Sequence, residues 1–181
     1  MNAFETIIKL YLEENSYWVR QSVKARISKE DKVALGLPSM PTPEIDLVAL
    51  NVRENELLLV EAKSLLGSYG VYYEAVADAK DKLAERYRLF TNSKFREVVT
   101  KAICDQYLQQ GLVNENTKVN YALAAGHIHS GDEPYIAEYF SKNGWKLFSP
   151  SQIKDTVKRL SKKGWEDDLI TMTAKLITEE R

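Results

Sequence analysis

Residues Pro43 to Ser64, P-E-I-D-L-V-A-L-N-V-R-E-N-E-L-L-L-V-E-A-K-S, constrain this chain more than any other stretch. Two apolar, β-branched runs flank the polar knot Asn51 to Glu56, which is the pattern of a β-hairpin. Side chains alternate faces along a strand, so Asp46, Val48 and Leu50 share one face of the first strand. Leu57, Leu59, Glu61 and Lys63 share one face of the second. A two-residue turn at Arg53-Glu54 sets Asp46 directly across from Glu61. A four-residue loop from Arg53 to Glu56 sets it across from Lys63 instead. Either even loop keeps Asp46, Glu61 and Lys63 on one face, whereas a loop of three or five residues would separate them.

Opposed residues on neighbouring strands have Cβ atoms roughly 4.5–5.5 Å apart, and like charges there repel. Two carboxylates among Leu and Val therefore call for a cation between them. A hard divalent ion such as Mg2+ takes oxygen ligands and suits that demand. Lys63 adds a positive charge beside the ion. The plain alternative is an exposed ion pair on a charged surface hairpin, but burying three such groups is costly without a function.

P-E-I-D, a short gap and V-E-A-K resemble the PD-(D/E)xK nuclease superfamily, which includes restriction enzymes, junction resolvases and repair nucleases. Asp46 carries the first motif element, and Glu61, Ala62 and Lys63 carry the second. Glu44 lies in the spacer and is not implied as a ligand. The resemblance implies an α/β fold with a restriction-endonuclease-like αβββαβ core, a central mixed sheet flanked by helices, and extra C-terminal helices. It implies an Mg2+- or Mn2+-dependent nuclease acting on DNA rather than RNA, in restriction, repair or recombination, and it allows a homodimer. Asp46, Glu61 and Lys63 would be catalytic, with Asp46, Glu61 and the Ala62 carbonyl as metal ligands. Glu5 would be a further ligand from the first helix. The other account of Glu5 is a capping box with Asn2, which explains it fully, and Glu14 is a distant substitute. The alternative function is a nucleic-acid-binding or protein-interaction subunit that keeps the fold without turnover.

The chain of 181 residues is 44% hydrophobic and 28% charged, enough for one globular domain, residues 1–181, with a real core. No run approaches the roughly 18 consecutive apolar residues of a membrane span. The first residues hold no signal-like block, and Cys104 is the only cysteine, so a reducing cytoplasmic setting is expected. The formal net charge of −1 means that a polyanion must be held by local clusters. Lys80, Lys82, Arg86, Arg88 and Lys94, with Arg96 and Lys101, form the first cluster and the expected nucleic-acid face. Lys154, Lys158, Arg159, Lys162 and Lys163 form a second. Both are equally the composition of solvated helix faces.

The spacing of Phe4, Ile7, Ile8, Tyr11 and Leu12 predicts a first helix, and Tyr17 to Ile27 a strand. Lys29 to Pro43 should be a loop. A long helix is expected over Val71 to Phe90, with Tyr72, Val76, Ala79, Leu83 and Tyr87 on one face, and another over Ser93 to Gln110. Val119 to Ile128 reads as a buried strand. A short helix from Pro134 to Lys142, a strand from Trp145 to Phe148, and helices from Ser149 and from Asp167 to Ile177 complete the chain. His127 and His129 alternate at a strand end and could share a transition metal, or simply be polar residues there. Tyr69, Tyr72, Tyr73, Tyr87 and Phe90 among the basic residues could stack on bases, though Tyr72 and Tyr87 suit the core. Cys104 fits a core position.

Overall fold

The structure, a computed structural model, describes residues 2–164 and 166–178. In chain order its elements are α1 (Ala3–Glu14), β1 (Trp18–Lys24), α2 (Lys29–Ala34), β2 (Glu44–Asn51) and β3 (Glu56–Lys63). There follow α3 (Tyr73–Ala77), a 3-10 turn (Ala84–Tyr87), α4 (Arg88–Thr91), α5 (Ser93–Gln109) and β4 (Lys118–Ala125). The chain then forms α6 (Glu133–Lys142), β5 (Lys146–Phe148), α7 (Pro150–Ser161) and α8 (Leu169–Thr178).

One mixed sheet runs in the order β1-β2-β3-β4-β5. β1, β2 and β3 are an antiparallel meander, while β4 lies parallel to β3 and β5 parallel to β4. Parallel neighbours need a crossover, and the segment from α3 to α5 supplies it between β3 and β4. The sheet is covered on both faces, which is why β2, β3 and β4 read as nearly unbroken apolar runs. Val48, Leu50, Leu57, Leu59 and Leu123 pack on one face with Val99, Ile103 and Tyr107 of α5 and Phe140 of α6. Leu47, Ala49, Leu58, Val60 and Ala122 face the other way, against Phe4, Ile8 and Leu12 of α1 and Ile153 of α7. Each such Leu, Ile or Phe contributes roughly 1.5–3 kcal/mol by leaving water.

The hairpin has the expected even loop, placed one residue earlier than the four-residue alternative. Val52 to Asn55 form the turn, and the register runs from Asn51↔Glu56 to Leu47↔Val60. That is the register a two-residue turn at Arg53-Glu54 would set, so it aims Asp46 at Glu61. Asn55 takes the left-handed conformation at φ 47°, and the Asn51 side chain accepts from the Glu54 N–H at 3.1 Å.

The expected helix over Val71 to Phe90 is not continuous. Val71 pairs instead with Ile128 as an isolated bridge, and α3 stops at Ala77. The Asp78 carboxylate accepts from the Lys80 N–H at 2.9 Å, and Asp81 from the Leu83 N–H at 2.7 Å. These local bonds compete with the i→i−4 ladder and turn the chain. Val76 and Tyr87 of the predicted apolar face are buried, but Ala79 is exposed.

The expected loop Lys29 to Pro43 contains α2, capped where the Ser28 hydroxyl accepts from the Asp31 N–H at 2.9 Å. β4 ends at Ala125 rather than Ile128, because the chain turns at Gly126. Remaining helix and strand ends differ from expectation by a few residues. No helix among the described residues is long and apolar enough to cross a membrane.

Candidate active site

The β2–β3 ladder stops one pair short of Asp46. Leu47↔Val60 is its last registered pair, and the Ala62 N–H turns to the Asp46 carboxylate, donating to Oδ2 at 2.7 Å. A side chain thus takes the place of a backbone acceptor, and the two strands part there. The N–H and C=O of one strand residue point to the same side, so the Ala62 carbonyl also faces the opening beside Asp46. Asp46, Glu61 and Lys63 lie on the face of the sheet that carries Val48, Leu50, Leu57 and Leu59, as strand parity predicts. Glu61 and Lys63 form an ion pair through Oε1 and Nζ. Their side chains are only 16% and 25% exposed, so water screens the pair weakly. The Lys63 ammonium also lies 5.9 Å from the centroid of the buried Tyr87 ring.

The electrostatics are those of carboxylates held together in poor solvation. Burial raises the Asp46 carboxyl above its ordinary value; the Ala62 N–H and Lys63 oppose the rise, and Glu44 adds to it. Burial also raises Glu61, with Lys63 opposing and the charges of Asp46 and Glu5 adding. The Tyr87 phenol is pushed up to about 12 by burial and by the Glu61 charge.

Glu5 approaches from the other side of the sheet. It sits in the first turn of α1, whose Phe4, Ile8 and Leu12 pack on the opposite face from Asp46. Burial and the Asp46 charge raise its carboxyl. Asn2 caps α1 through the Phe4 N–H at 3.0 Å, not through Glu5 as a capping box would require. Among the described residues, no three His, Cys, Asp or Glu side chains converge closely enough to hold one ion. Asp46, Glu61 and the Ala62 carbonyl are oxygen donors of the kind a hard divalent cation takes, and the Glu5 charge acts on both Asp46 and Glu61.

No family model, curated protein or solved structure matches this chain. Its chemistry must be read from its own side chains.

The broken segment after β3 brings part of the first basic cluster to this site. A cavity of about 270 Å3 adjoins Glu61, walled by Met40 to Pro43 on one side and by Arg86, Arg88 and Leu89 on the other. Arg86 lines this cavity and is exposed, and Lys80 and Lys82 on the preceding turns are exposed outside its lining. Arg88 is instead tied down, ion-paired with Glu85 and 5.6 Å above the Phe95 ring. Lys94 donates to the Ala34 carbonyl. Arg96 donates to the Leu89 carbonyl at 2.8 Å and stacks 4.9 Å over Trp145. Of the expected nucleic-acid contacts, Arg88 and Lys94 thus also hold the fold, while Lys80, Lys82 and Arg86 carry exposed charge. In the second cluster Lys154, Lys158, Arg159 and Lys162 are exposed, and Lys163 pairs with Glu14 at 2.8 Å.

The two histidines do not form a metal pair. The His127 ring meets the Ser68 carbonyl at 2.9 Å, while His129 stacks on Tyr72 with centroids 4.4 Å apart. Cys104 is half-buried on α5. Glu44, a spacer residue in the motif, lines the cavity, and its charge reaches Asp46. Its even spacing from Asp46 was the signal that could have found it. The approach of Tyr87 to Lys63 had no signal, because it depends on where the broken segment turns.

Proposed function

We propose that the protein is a nuclease that hydrolyses phosphodiester bonds with Mg2+ or Mn2+, acting on DNA. The observation that carries this reading is the parted end of β2 and β3, where Asp46, the Ala62 backbone, Glu61 and Lys63 meet on one face. Three antiparallel strands after a first helix, and a crossover into a parallel fourth, support the likeness to the PD-(D/E)xK superfamily and its restriction-endonuclease-like core.

Asp46, Glu61 and the Ala62 carbonyl would hold the ion, which when bound polarises the phosphate and acidifies water. Lys63 offers its ammonium to the charge that grows on the phosphate oxygens as water attacks phosphorus and the P–O bond to the leaving strand breaks. Its ion pair with Glu61 fixes where that charge is aimed. Tyr87 walls the pair from below and keeps water from screening it. Arg86 is placed to hold a neighbouring phosphate.

Cleavage of plasmid, linear, single-stranded and branched DNA with Mg2+ tests the reading against Lys63→Ala. Loss of a group of this kind costs ~10²-fold or more in rate, and equal cleavage by both proteins would refute it. The second reading is a binding subunit without turnover, favoured by a formal net charge of −1 and by the absence of a third convergent carboxylate among the described residues. Uptake of Mn2+ that Asp46→Asn abolishes decides against that alternative.

A further inference from the structure

The cavity beside Glu61 mixes apolar side chains and carboxylates with two arginines, a lining suited to more than a phosphate alone. Its floor is apolar, made by the buried side chains of Ile45, Leu89 and Phe95. Three carboxylates, Glu44, Glu61 and Glu85, stand in its lining with Arg86 and Arg88, and Glu61 is paired with Lys63. Glu85 is spent on Arg88. No hydrogen bond or ion pair of the Glu44 side chain occurs among the described residues. An unpaired carboxylate over an apolar floor repels a phosphate, but it accepts hydrogen bonds from the exocyclic amino group of a base.

The walls are rigid. Pro41 and Pro43 have locked backbone φ angles. The Met40 carbonyl accepts from Lys32 Nζ at 2.8 Å, and Arg88 touches the Met40 sulfur at 3.5 Å. The Ala25 N–H donates to the Pro43 carbonyl at 2.8 Å. A volume of about 270 Å3 falls just below the range of drug-sized ligand sites, roughly 300 to 1,000 Å3. It has room for one heterocycle and not for a stacked base pair.

We propose that this cavity takes one unstacked nucleobase of the strand being cut, so that the substrate is single-stranded or locally opened nucleic acid. The inference rests on the nuclease reading. It places the base at Glu44 over Ile45, Leu89 and Phe95, and the adjoining phosphate between Arg86 and the Asp46–Glu61 opening. An intact duplex must first release a base, and that cost sets the selectivity.

The test uses the full chain with labelled oligodeoxycytidine, oligodeoxythymidine and a blunt duplex, read by cleavage in Mn2+ and by binding anisotropy in Ca2+. Single strands should be cut on the order of 10²-fold faster than duplex, and oligodeoxycytidine should bind more tightly than oligodeoxythymidine. Thr42→Trp, an exposed wall position whose fold is checked by circular dichroism, should fill the cavity and weaken single-strand binding at least about tenfold, the loss of one base-stacking contact. Glu44→Ala should level the two single strands. Equal cutting of duplex and single strand overturns the inference and leaves the nuclease standing. If nothing is cut, the nuclease reading falls and the binding arm still decides, since unchanged single-strand affinity in Thr42→Trp would overturn the cavity's role. Equal affinity of the wild type for the two single strands removes the base contact assigned to Glu44.

Discussion

Asp46 spends its Oδ2 on the Ala62 N–H and remains a carboxyl in poor solvation near Glu44 and Lys63. Its proton is held more tightly in the folded chain than in the unfolded one, where 3.8 is the ordinary value. A raised carboxyl makes the fold lose stability as pH climbs from the ordinary value through the raised one. In EDTA, Asp46→Asn should therefore be more stable than wild type at neutral pH, by about 1 kcal/mol as is common when a functional charge is relieved. The difference should vanish below pH 3.8. Mg2+ should reverse the ranking, adding about 1.4 kcal/mol to wild type alone at ten times its dissociation constant. Urea midpoints with and without metal read both effects. A wild type that is the more stable of the two in EDTA at neutral pH would show that the carboxylate is not under strain.

Among the elements, the parallel pairing of the end of β4 with the end of β3, Ala125 beside Lys63, sets the position of Lys63. The Gly126 N–H donates to the Lys63 carbonyl at 2.9 Å, and a Cβ on Gly126 would lie 2.4 Å from the Ser64 carbonyl oxygen and 3.0 Å from the Phe4 ring. The first of these is backbone and cannot swing aside. Gly126→Ala should cost about 1–3 kcal/mol of stability by overpacking and should displace Lys63, lowering turnover below what the melting temperature explains. Thermal melts paired with cleavage rates check this; a variant that melts and cuts like wild type would mean that the strand ends shift freely. The broken segment before α5 acts at the same scale. Its turns at Asp78 and Asp81 place Arg86 over the cavity, where a continuous helix would have carried the basic residues past it.

Across the whole molecule, the far end of the sheet is tied by a polar knot. Lys146 of β5 donates to both Glu56 oxygens, at 2.9 and 2.6 Å, and Tyr17 donates to Glu56 Oε2 at 2.5 Å. Burial raises the Glu56 carboxyl, but Lys146 and Tyr17 outweigh it and hold the group below its ordinary value of 4.5. A lowered carboxyl contributes stability that is full above the ordinary value and is lost as pH falls through the lowered one. Glu56→Ala should cost about 1–3 kcal/mol at neutral pH, less than a fully buried pair because Lys146 is partly solvated. That cost should shrink below pH 4.5 in urea titrations, and a deficit that stays constant with pH would assign it to packing. The charge distribution belongs to the same scale. With a formal net charge of −1, the proposed binding of a polyanion would rest on local cations. Reversing Lys80, Lys82 and Arg86 to Glu should lower the log–log salt slope by about 0.7 per contact on single strands. The same slope and affinity as wild type would place the nucleic acid on another face.

The sequence by itself determined what strand parity, apolar runs and helical periodicity can encode. Asp46, Glu61 and Lys63 had to share a face once the loop was even, and α1, α5, the β2–β3 hairpin and the burial of β4 were legible because those signals are local and repeated. Register stayed open between Glu61 and Lys63 as the partner of Asp46, since it depended on a turn that Asn51 and Asn55 shape through their own side chains. The Val71 to Phe90 helix looked continuous because apolar spacing carries no trace of Asp78 and Asp81 turning back on their own backbone. Only the tertiary structure packed Phe4, Ile8 and Leu12 of α1 against the opposite face of the sheet while leaving the Glu5 charge within reach of Asp46 and Glu61. Only it brought Met40 to Pro43 against Arg86 and Leu89 to make the cavity beside Glu61. Those meetings join segments dozens of residues apart, and the side chains that meet are chosen by packing across the sheet rather than by any neighbour in the chain.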